Sequence, residues 1–140
     1  MEYGLLGEKL GHSYSKEIHE QLADYTYDLC PVSREDFDAF MTKHDFKAIN
    51  VTIPYKQDVI PYLDAMDDNA ASIGAVNTIV NKNGRLEGHN TDFSGFLYMI
   101  EKHNIRIEGC KCLVLGNGGA AKAVIAVLKH LNAAGIKLVS

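Results

Sequence analysis

Five short stretches of this 140-residue chain combine residue types that bind oxygen-rich ligands or move protons. The most regular is Gly-Asn-Gly-Gly-Ala-Ala at 116–121, which fits G-x-G-x-x-A between a predicted strand and a predicted helix. Gly116 permits a tight turn, Gly118 lets the backbone approach a pyrophosphate, and Ala121 keeps helix and strand close. The amides at the start of the helix then face phosphate oxygens. The stretch predicts dinucleotide binding, and a tight turn without a ligand is the alternative.

A second stretch, Asn-Val-Thr-Ile-Pro-Tyr-Lys at 50–56, places polar groups at the end of a predicted strand. Asn50 and Thr52 point to one face of that strand, because side chains alternate along it. Pro54 ends the ladder, which directs Lys56 toward the same strand end. An amide, a hydroxyl and an ammonium group would converge there on an oxygen-rich ligand. The alternative is an amphipathic strand with a solvated polar face and a solvated lysine.

Three further stretches are less specific when each is taken alone. Ser13 and Ser15 precede a predicted helix, so their hydroxyls could cap it, bind an anion or do both. Asn77 interrupts an apolar strand, and a buried amide there needs partners from the backbone or from a ligand. Asp92 is predicted to be the N-cap of a helix that begins at Phe93.

The elements that position these residues alternate between strands and helices, which predicts the α/β class. We predict strands at Tyr3–Leu6, Tyr25–Val32, Ala48–Ile53, Val76–Val80, Arg85–Gly88, Cys112–Leu115 and Ile136–Val139. We predict helices at Ser15–Ala23, after the capping pattern Ser33–Asp36, and at Asp58–Met66, Asn69–Ile73, Phe93–His103 and Ala120–Leu131. The order strand, glycine loop, helix, strand after residue 111 is one βαβ unit of a parallel sheet.

The composition is that of a globular protein, with 46% hydrophobic and 23% charged residues. It excludes disordered and collagen-like chains, and the length suffices for a hydrophobic core. No apolar run approaches the ~20 residues of a membrane-spanning helix, and the N-terminus lacks the features of a signal peptide. We therefore expect a cytoplasmic protein with no membrane contact. A net charge of −4 without a basic cluster argues against nucleic acid as a partner.

The cysteines Cys30, Cys110 and Cys112 form no disulfide framework, because an odd count without an export signal favours reduced thiols. Cys110 and Cys112 would share one strand face, but no histidine or second pair lies nearby in sequence to complete a zinc site. We therefore predict structural cysteines and no metal.

Taken together, Ser-x-Ser, N-V-T-I-P-Y-K, G-A-V-N-T, N-T-D and G-x-G-G-A, in this order, resemble the shikimate dehydrogenase family. The resemblance covers essentially the whole chain, with departures such as Lys16 where the family usually has proline. It implies a three-layer α/β substrate-binding domain at residues 1–92 and an incomplete Rossmann-like dinucleotide-binding domain at 93–140, flanking a cleft. It also implies NADP-dependent, reversible reduction of the ketone 3-dehydroshikimate to shikimate. The alternatives are an enzyme that also accepts quinate and a chain that binds substrate without turnover.

The resemblance also implies residue roles. Ser13 and Ser15 would hold the substrate carboxylate, and Lys56 and Asp92 would form the catalytic pair, with the proton carrier left open between them. The other implied substrate-binding residues are Asn50, Thr52 and Asn77, and the implied cofactor-binding residues are Gly116, Asn117, Gly118, Gly119 and Ala120.

The family's chains extend well beyond Ser140, so we expect the sequence to stop within the cofactor domain. The residues that select NADP over NAD would lie past that point, which leaves NAD as the alternative cofactor. We expect the chain alone to be inactive. We also expect a homodimer or self-association through an unpaired edge after Ile136–Val139.

Overall fold

The computed structural model describes residues 1–140, which divide into two compact units. The first unit consists of Met1–Asp67 and Val76–His89, and the second consists of Asp68–Ala75 and Asn90–Ser140. The predicted α/β class is confirmed, because strands and helices alternate along most of the chain. The division into functional domains at residue 92 stays a prediction. The compact units differ from it by assigning the segment Asp68–Ala75 to the second unit.

The first unit is built on a six-stranded mixed sheet. Its strands are β1 (Tyr3–Gly7), β2 (Asp28–Pro31), β3 (Ala48–Val51), β4 (Ala65–Met66), β5 (Thr78–Lys82) and β6 (Arg85–His89). They lie in the order β2-β1-β3-β5-β6-β4. β1 pairs in parallel with β2 and β3, and β4 pairs in parallel with β6, whereas β5 runs antiparallel to both β3 and β6. The carboxyl ends of β1, β2 and β3 therefore lie at one edge of the sheet.

Two α-helices of the first unit, α1 (Ser15–Leu22) and α2 (Phe37–Lys43), follow β1 and β2. α2 buries Phe37 and Met41, which are one turn apart and face the same side. The capping pattern Ser33–Asp36 closes the turn before α2, whose own N-cap, Asp36, makes no side-chain capping hydrogen bond. The Oγ atom of Ser33 accepts from the Asp36 amide at 3.2 Å and donates to its carboxylate at 2.7 Å.

The predicted helix at Asp58–Met66 is wrong. Only Ile60–Tyr62 forms a single 3-10 turn, and Ala65–Met66 is strand β4. Pro61 lacks the backbone N–H that a helix interior needs. Asp64 is held instead by β6, since its amide donates to the Leu86 carbonyl at 2.9 Å and its carboxylate accepts from the Leu86 amide at 2.7 Å. These hydrogen bonds to the edge of β6 thus stabilise an extended backbone instead of the helix that the local spacing predicts.

The second unit contains α3 (Asp68–Ile73), α4 (Thr91–Lys102), β7 (Lys111–Leu115), α5 (Gly119–His130) and β8 (Gly135–Val139). β7 and β8 pair in parallel and α5 connects them, which confirms the predicted βαβ order. α5 buries Ala123, Val127 and Leu128 on one stripe. No helix of the chain is both long and apolar enough to cross a membrane.

Candidate functional site

A cavity of about 320 Å³ lies in the first unit beside the carboxyl ends of β1 and β3. In open sheets with parallel strands, ligands bind outside these strand ends. Three of the predicted substrate-binding residues meet in the cavity. The full lining is Leu5, Lys9, Leu10, His12, Ser13, Ser15 and Thr52.

Ser13 and Ser15 lie in the turn that leads from β1 into α1. The Oγ atom of Ser13 accepts a hydrogen bond from the Ser15 amide at 3.2 Å. A hydroxyl that accepts in this way keeps its own proton for donation. The predicted capping and ligand-binding roles are therefore compatible for Ser13, and both serines are half-buried in the cavity wall.

Thr52 reaches the cavity because Gly7 leaves room for it. A Cβ atom at Gly7 would lie 2.7 Å from the Thr52 methyl group and 2.7 Å from the Leu10 side chain. The Thr52 amide donates to the Leu6 carbonyl at 2.9 Å, which fixes its backbone beside β1. The glycine that ends β1 is thus required by the close approach of the two strands.

Lys9 and His12 also line the cavity, and the sequence pattern did not single them out as ligands. Both are exposed residues of the loop that follows β1. Their position in the same loop as Ser13 is the sequence feature that could have indicated them as ligand-binding residues. They add an ammonium group and an imidazole to the two hydroxyls, so the lining suits an anionic ligand.

Asn50 and Asn77 are not among the residues that line this cavity. They belong to a hydrogen-bonded row of side chains across β3 and β5. The Tyr27 hydroxyl donates to Oδ1 of Asn50 at 2.7 Å, and Nδ2 of Asn50 donates to the Thr78 hydroxyl at 3.1 Å. The Thr78 hydroxyl donates in turn to Oδ1 of Asn77 at 3.1 Å. Tyr27 thus contacts Asn50, and Thr78 contacts both predicted substrate-binding amides. The sequence pattern assigned neither Tyr27 nor Thr78 a role.

Tyr27 is held firmly at the head of this row. Its ring stacks on the His19 ring with centroids 4.0 Å apart. Its carbonyl accepts from Lys16 at 2.8 Å, and its amide donates to Glu20 at 3.1 Å. Lys16 and Glu20 also pair with each other at 2.9 Å, and this contact lowers the pKa of Glu20. Burial raises the pKa of Tyr27, so its hydroxyl stays protonated and able to donate.

Lys56 belongs to the first unit and Asp92 to the second. Lys56 is half-buried in the segment after β3, and its carbonyl accepts from the Val76 amide at 2.7 Å. Asp92 is half-buried in the first turn of α4. Their pairing stays a prediction.

The predicted N-cap role of Asp92 is wrong, because α4 begins at Thr91, two residues before the predicted start, and Asn90 caps it. Oδ1 of Asn90 accepts from the amides of Asp92 and Phe93 at 3.0 and 3.3 Å. Its Nδ2 donates to the Ala75 carbonyl at 2.9 Å, an anchor that an aspartate could not make.

The glycine loop of the second unit has the geometry that its pattern predicts. Gly116 has a φ angle of +100°, a backbone conformation that residues other than glycine rarely adopt. Gly118 is the N-cap of α5, and no side chain caps that helix. A Cβ atom built at Gly116 or Gly118 would meet no protein atom within 4 Å. With no side chain at the cap and open space beside Gly116 and Gly118, the start of α5 has room for a phosphate group.

The described residues include no group of three or more histidine, cysteine, aspartate or glutamate side chains placed to hold a metal ion. The three cysteines form no disulfide.

Comparison with known proteins identifies the relatives of the chain. The profile of the "Shikimate dehydrogenase substrate binding domain" family matches residues 5–79. A curated relative, shikimate dehydrogenase (NADP(+)) of Clostridium beijerinckii, is 45% identical over 146 residues, which cover 99% of this chain and 54% of the relative. The Clostridium perfringens enzyme of the same name is 44% identical with the same coverage. The chain thus spans about half the length of the curated relatives it matches.

Solved structures give the same result. Shikimate dehydrogenase 1 of Peptoclostridium difficile superposes with a TM-score of 0.89 at 34% identity, over 99% of this chain and 54% of the other. Shikimate 5-dehydrogenase of Thermus thermophilus, solved in complex with NADP(H) and shikimate, superposes with a TM-score of 0.86 at 30% identity, over 99% and 56%. The family profile matches more than half of the residues, and the folds agree over nearly all of them. The chain belongs to the shikimate dehydrogenase family.

Proposed function

We propose that the chain binds shikimate and 3-dehydroshikimate and carries the catalytic residues of an NADP-dependent shikimate dehydrogenase. The observation that carries the proposal is the cavity that brings Ser13, Ser15 and Thr52 together at the strand ends. Family membership supports it, as does the Thermus thermophilus relative that was solved with NADP(H) and shikimate.

The substrate carboxylate binds in the cavity of the first unit. The hydroxyls of Ser13 and Ser15 donate to its oxygens, and the Lys9 ammonium adds a positive charge from the same wall. Hydrogen bonds to a charged group are stronger than those between neutral groups. Thr52 and the amides of Asn50 and Asn77 bind the remaining polar groups of the substrate.

Lys56 and Asp92 act on the reacting oxygen. When bound, NADPH supplies the hydride that reduces the ketone of the substrate. Negative charge develops on the ketone oxygen, and the Lys56 ammonium stabilises that charge and donates a proton. Asp92 positions the substrate hydroxyl. In the direction of shikimate oxidation, the neutral Lys56 amine accepts the proton of the substrate hydroxyl.

The segment Gly116–Ala120 binds the cofactor pyrophosphate through the amides at the start of α5, which no side chain caps. The Gly116 amide itself donates to the Val139 carbonyl at 2.7 Å and fixes the turn. We favour NADP because the curated relatives carry it in their names. On the sequence features alone, we also propose a cytoplasmic location.

Calorimetric titration of the 140-residue chain with shikimate tests the proposal. We expect binding, and we expect the double variant Ser13→Ala/Ser15→Ala to weaken it on the order of tenfold or more, because each lost hydrogen bond to a carboxylate contributes about 1 kcal/mol or more. Thr42→Ala on the exposed face of α2 is the control, since it removes a hydroxyl remote from the cavity lining.

Titration with quinate tests the broader specificity. Equal affinity for both acids would favour an enzyme that also accepts quinate. No binding of shikimate to the chain, or equal binding by the double variant, would contradict the proposed site.

A further inference from the structure

We infer that Tyr27 and Thr78 are positioning residues whose hydroxyls fix the orientation of the two substrate-binding amides, Asn50 and Asn77. The inference deepens the proposed function and rests on it for the identity of the ligand. The hydrogen bonds themselves lie wholly within the first unit.

The row of side chains is set by the register of the sheet. Asn50 and Thr78 are directly opposite each other on the antiparallel pair β3–β5. Directly opposed side chains have Cβ atoms about 5 Å apart, which suits a short amide and a hydroxyl. Tyr27 reaches Asn50 from the residue before β2, and Asn77 immediately precedes Thr78.

Each hydroxyl has a single proton, so the row has one direction. Tyr27 gives its proton to Oδ1 of Asn50, which turns the Asn50 amino group toward Thr78. Thr78 accepts there and gives its own proton to Oδ1 of Asn77. The carboxamide oxygen of each asparagine is thus engaged by a protein hydroxyl. Nδ2 of Asn50 also lies 3.5 Å from the Asn77 carbonyl oxygen. The orientation of each carboxamide decides which of its polar atoms faces a substrate.

An asparagine carboxamide has nearly the same shape after a flip of 180°, so packing alone does not choose its orientation. The hydrogen-bond partners do. Tyr27 is 2% exposed and Asn77 is 8% exposed, so solvent offers few alternative partners at these positions. Without the Thr78 hydroxyl, Oδ1 of Asn77 and Nδ2 of Asn50 lose the partner that they share, which weakens the preference of both amides for this orientation.

Three variants of the chain separate hydrogen bonding from packing. Thr78→Val keeps the volume and removes the hydroxyl, whereas Thr78→Ser keeps the hydroxyl and removes a methyl group. Tyr27→Phe keeps the ring that stacks on His19. Thr42→Val on the exposed face of α2 is the matched control.

Two measurements are made on each variant. The first is the side-chain NH₂ signals of Asn50 and Asn77 in ¹⁵N-resolved NMR spectra of the ligand-free chain. Asn81 serves as an internal reference, because its amino group donates to the carbonyls of His44 and Phe46, each at 3.0 Å. The second is shikimate affinity by calorimetry, with the melting temperature recorded to exclude unfolding.

We expect Thr78→Val and Tyr27→Phe to shift the NH₂ signals of Asn50, and Thr78→Val to shift those of Asn77, without moving those of Asn81. We expect both variants to weaken shikimate binding on the order of tenfold, whereas Thr78→Ser stays within about threefold of the parent. Unmoved signals in Thr78→Val overturn the inference. So does an affinity that is unchanged, or one that falls equally in Thr78→Ser and Thr78→Val.

If the parent chain binds no shikimate, the proposed function fails, and the NMR signals alone test whether the two hydroxyls orient the amides. Shifted Asn50 and Asn77 signals then support the orienting role of the hydroxyls, and unmoved signals overturn it.

Discussion

Lys56 is the residue on which the proposed proton transfer depends. We predict that Lys56→Ala lowers kcat by on the order of 10²–10⁴-fold, the range of a positioned acid–base group, while KM changes much less. The reason is that the interaction of the ammonium with the reacting oxygen strengthens as that oxygen gains charge. Turnover is measured in a chimera in which these 140 residues replace the matching half of the Clostridium beijerinckii relative.

Lys43→Ala is the control for this experiment, since Lys43 is an exposed residue of α2 that pairs only loosely, at 3.5 Å, with Asp45. A kcat within a few-fold of the unsubstituted chimera for Lys56→Ala would remove Lys56 from the reaction. A fall in Lys43→Ala of the same size would point to a general loss of structure.

The sequence motifs predicted three of the residues that meet in the cavity, Ser13, Ser15 and Thr52. They could be predicted because each lies in a short local pattern next to a strand end. Tyr27 could not be found in this way, and the G-A-V-N-T motif contains Thr78 but gives it no role. Their part in the site depends on the register of β3 against β5 and on the position of β2, which no local pattern encodes.

At the scale of elements, the start of α4 depends on Asn90, which is 3% exposed. We predict that Asn90→Ala lowers the free energy of unfolding of the second unit by about 2–4 kcal/mol. The substitution removes an N-cap, which contributes about 1 kcal/mol, and it leaves the Ala75 carbonyl without its donor, which costs a further 1–3 kcal/mol. Urea denaturation measures the loss.

Asn90→Ser is the matched variant, because the serine hydroxyl can cap the helix but is too short to donate to the Ala75 carbonyl. It should destabilise the unit less than Asn90→Ala does. Equal stability of Asn90→Ala and the parent would mean that α4 needs no side-chain cap.

Local sequence patterns predicted most elements but failed where helical spacing competed with pairing to a strand that is distant in sequence. The hairpin of β5 and β6 and the βαβ order of the second unit follow from turn residues and periodicity. The segment Asp58–Met66 has helical spacing but contains Pro61, and the edge of β6 takes up its backbone groups. A sheet edge that is distant in sequence is a nonlocal partner, so periodicity within the segment could not reveal it.

At the scale of the whole molecule, the assignment of Asp68–Ala75 to the second unit has a physical basis that the sequence order hides. Ile73 and Ala75 are buried in one cluster with Ala123 of α5, and Phe93 packs against that cluster. The Asn90 side chain adds a hydrogen bond to Ala75. A segment from the middle of the chain thus completes the core around α5.

The two-stranded sheet of the second unit leaves apolar side chains exposed on one face. α5 covers one side of β7, where Val114 is buried. Side chains alternate along the strand, so Leu113 and Leu115 project to the other side, where they are 61% and 76% exposed. Val139 pairs with Leu115 in register and is also exposed. Adjacent exposed apolar side chains of this kind mark surfaces that associate.

We predict that the 140-residue chain self-associates through this face in a concentration-dependent manner, and that Leu113→Thr/Leu115→Thr abolishes the association. Threonine suits a strand, so the double variant removes apolar surface without opposing β7. Sedimentation velocity across a range of concentrations measures the effect. Leu22→Thr on α1 is the control, because Leu22 is 78% exposed but lies outside the sheet. A parent chain that sediments as a monomer at every concentration would refute the prediction, as would a double variant that associates as strongly as the parent.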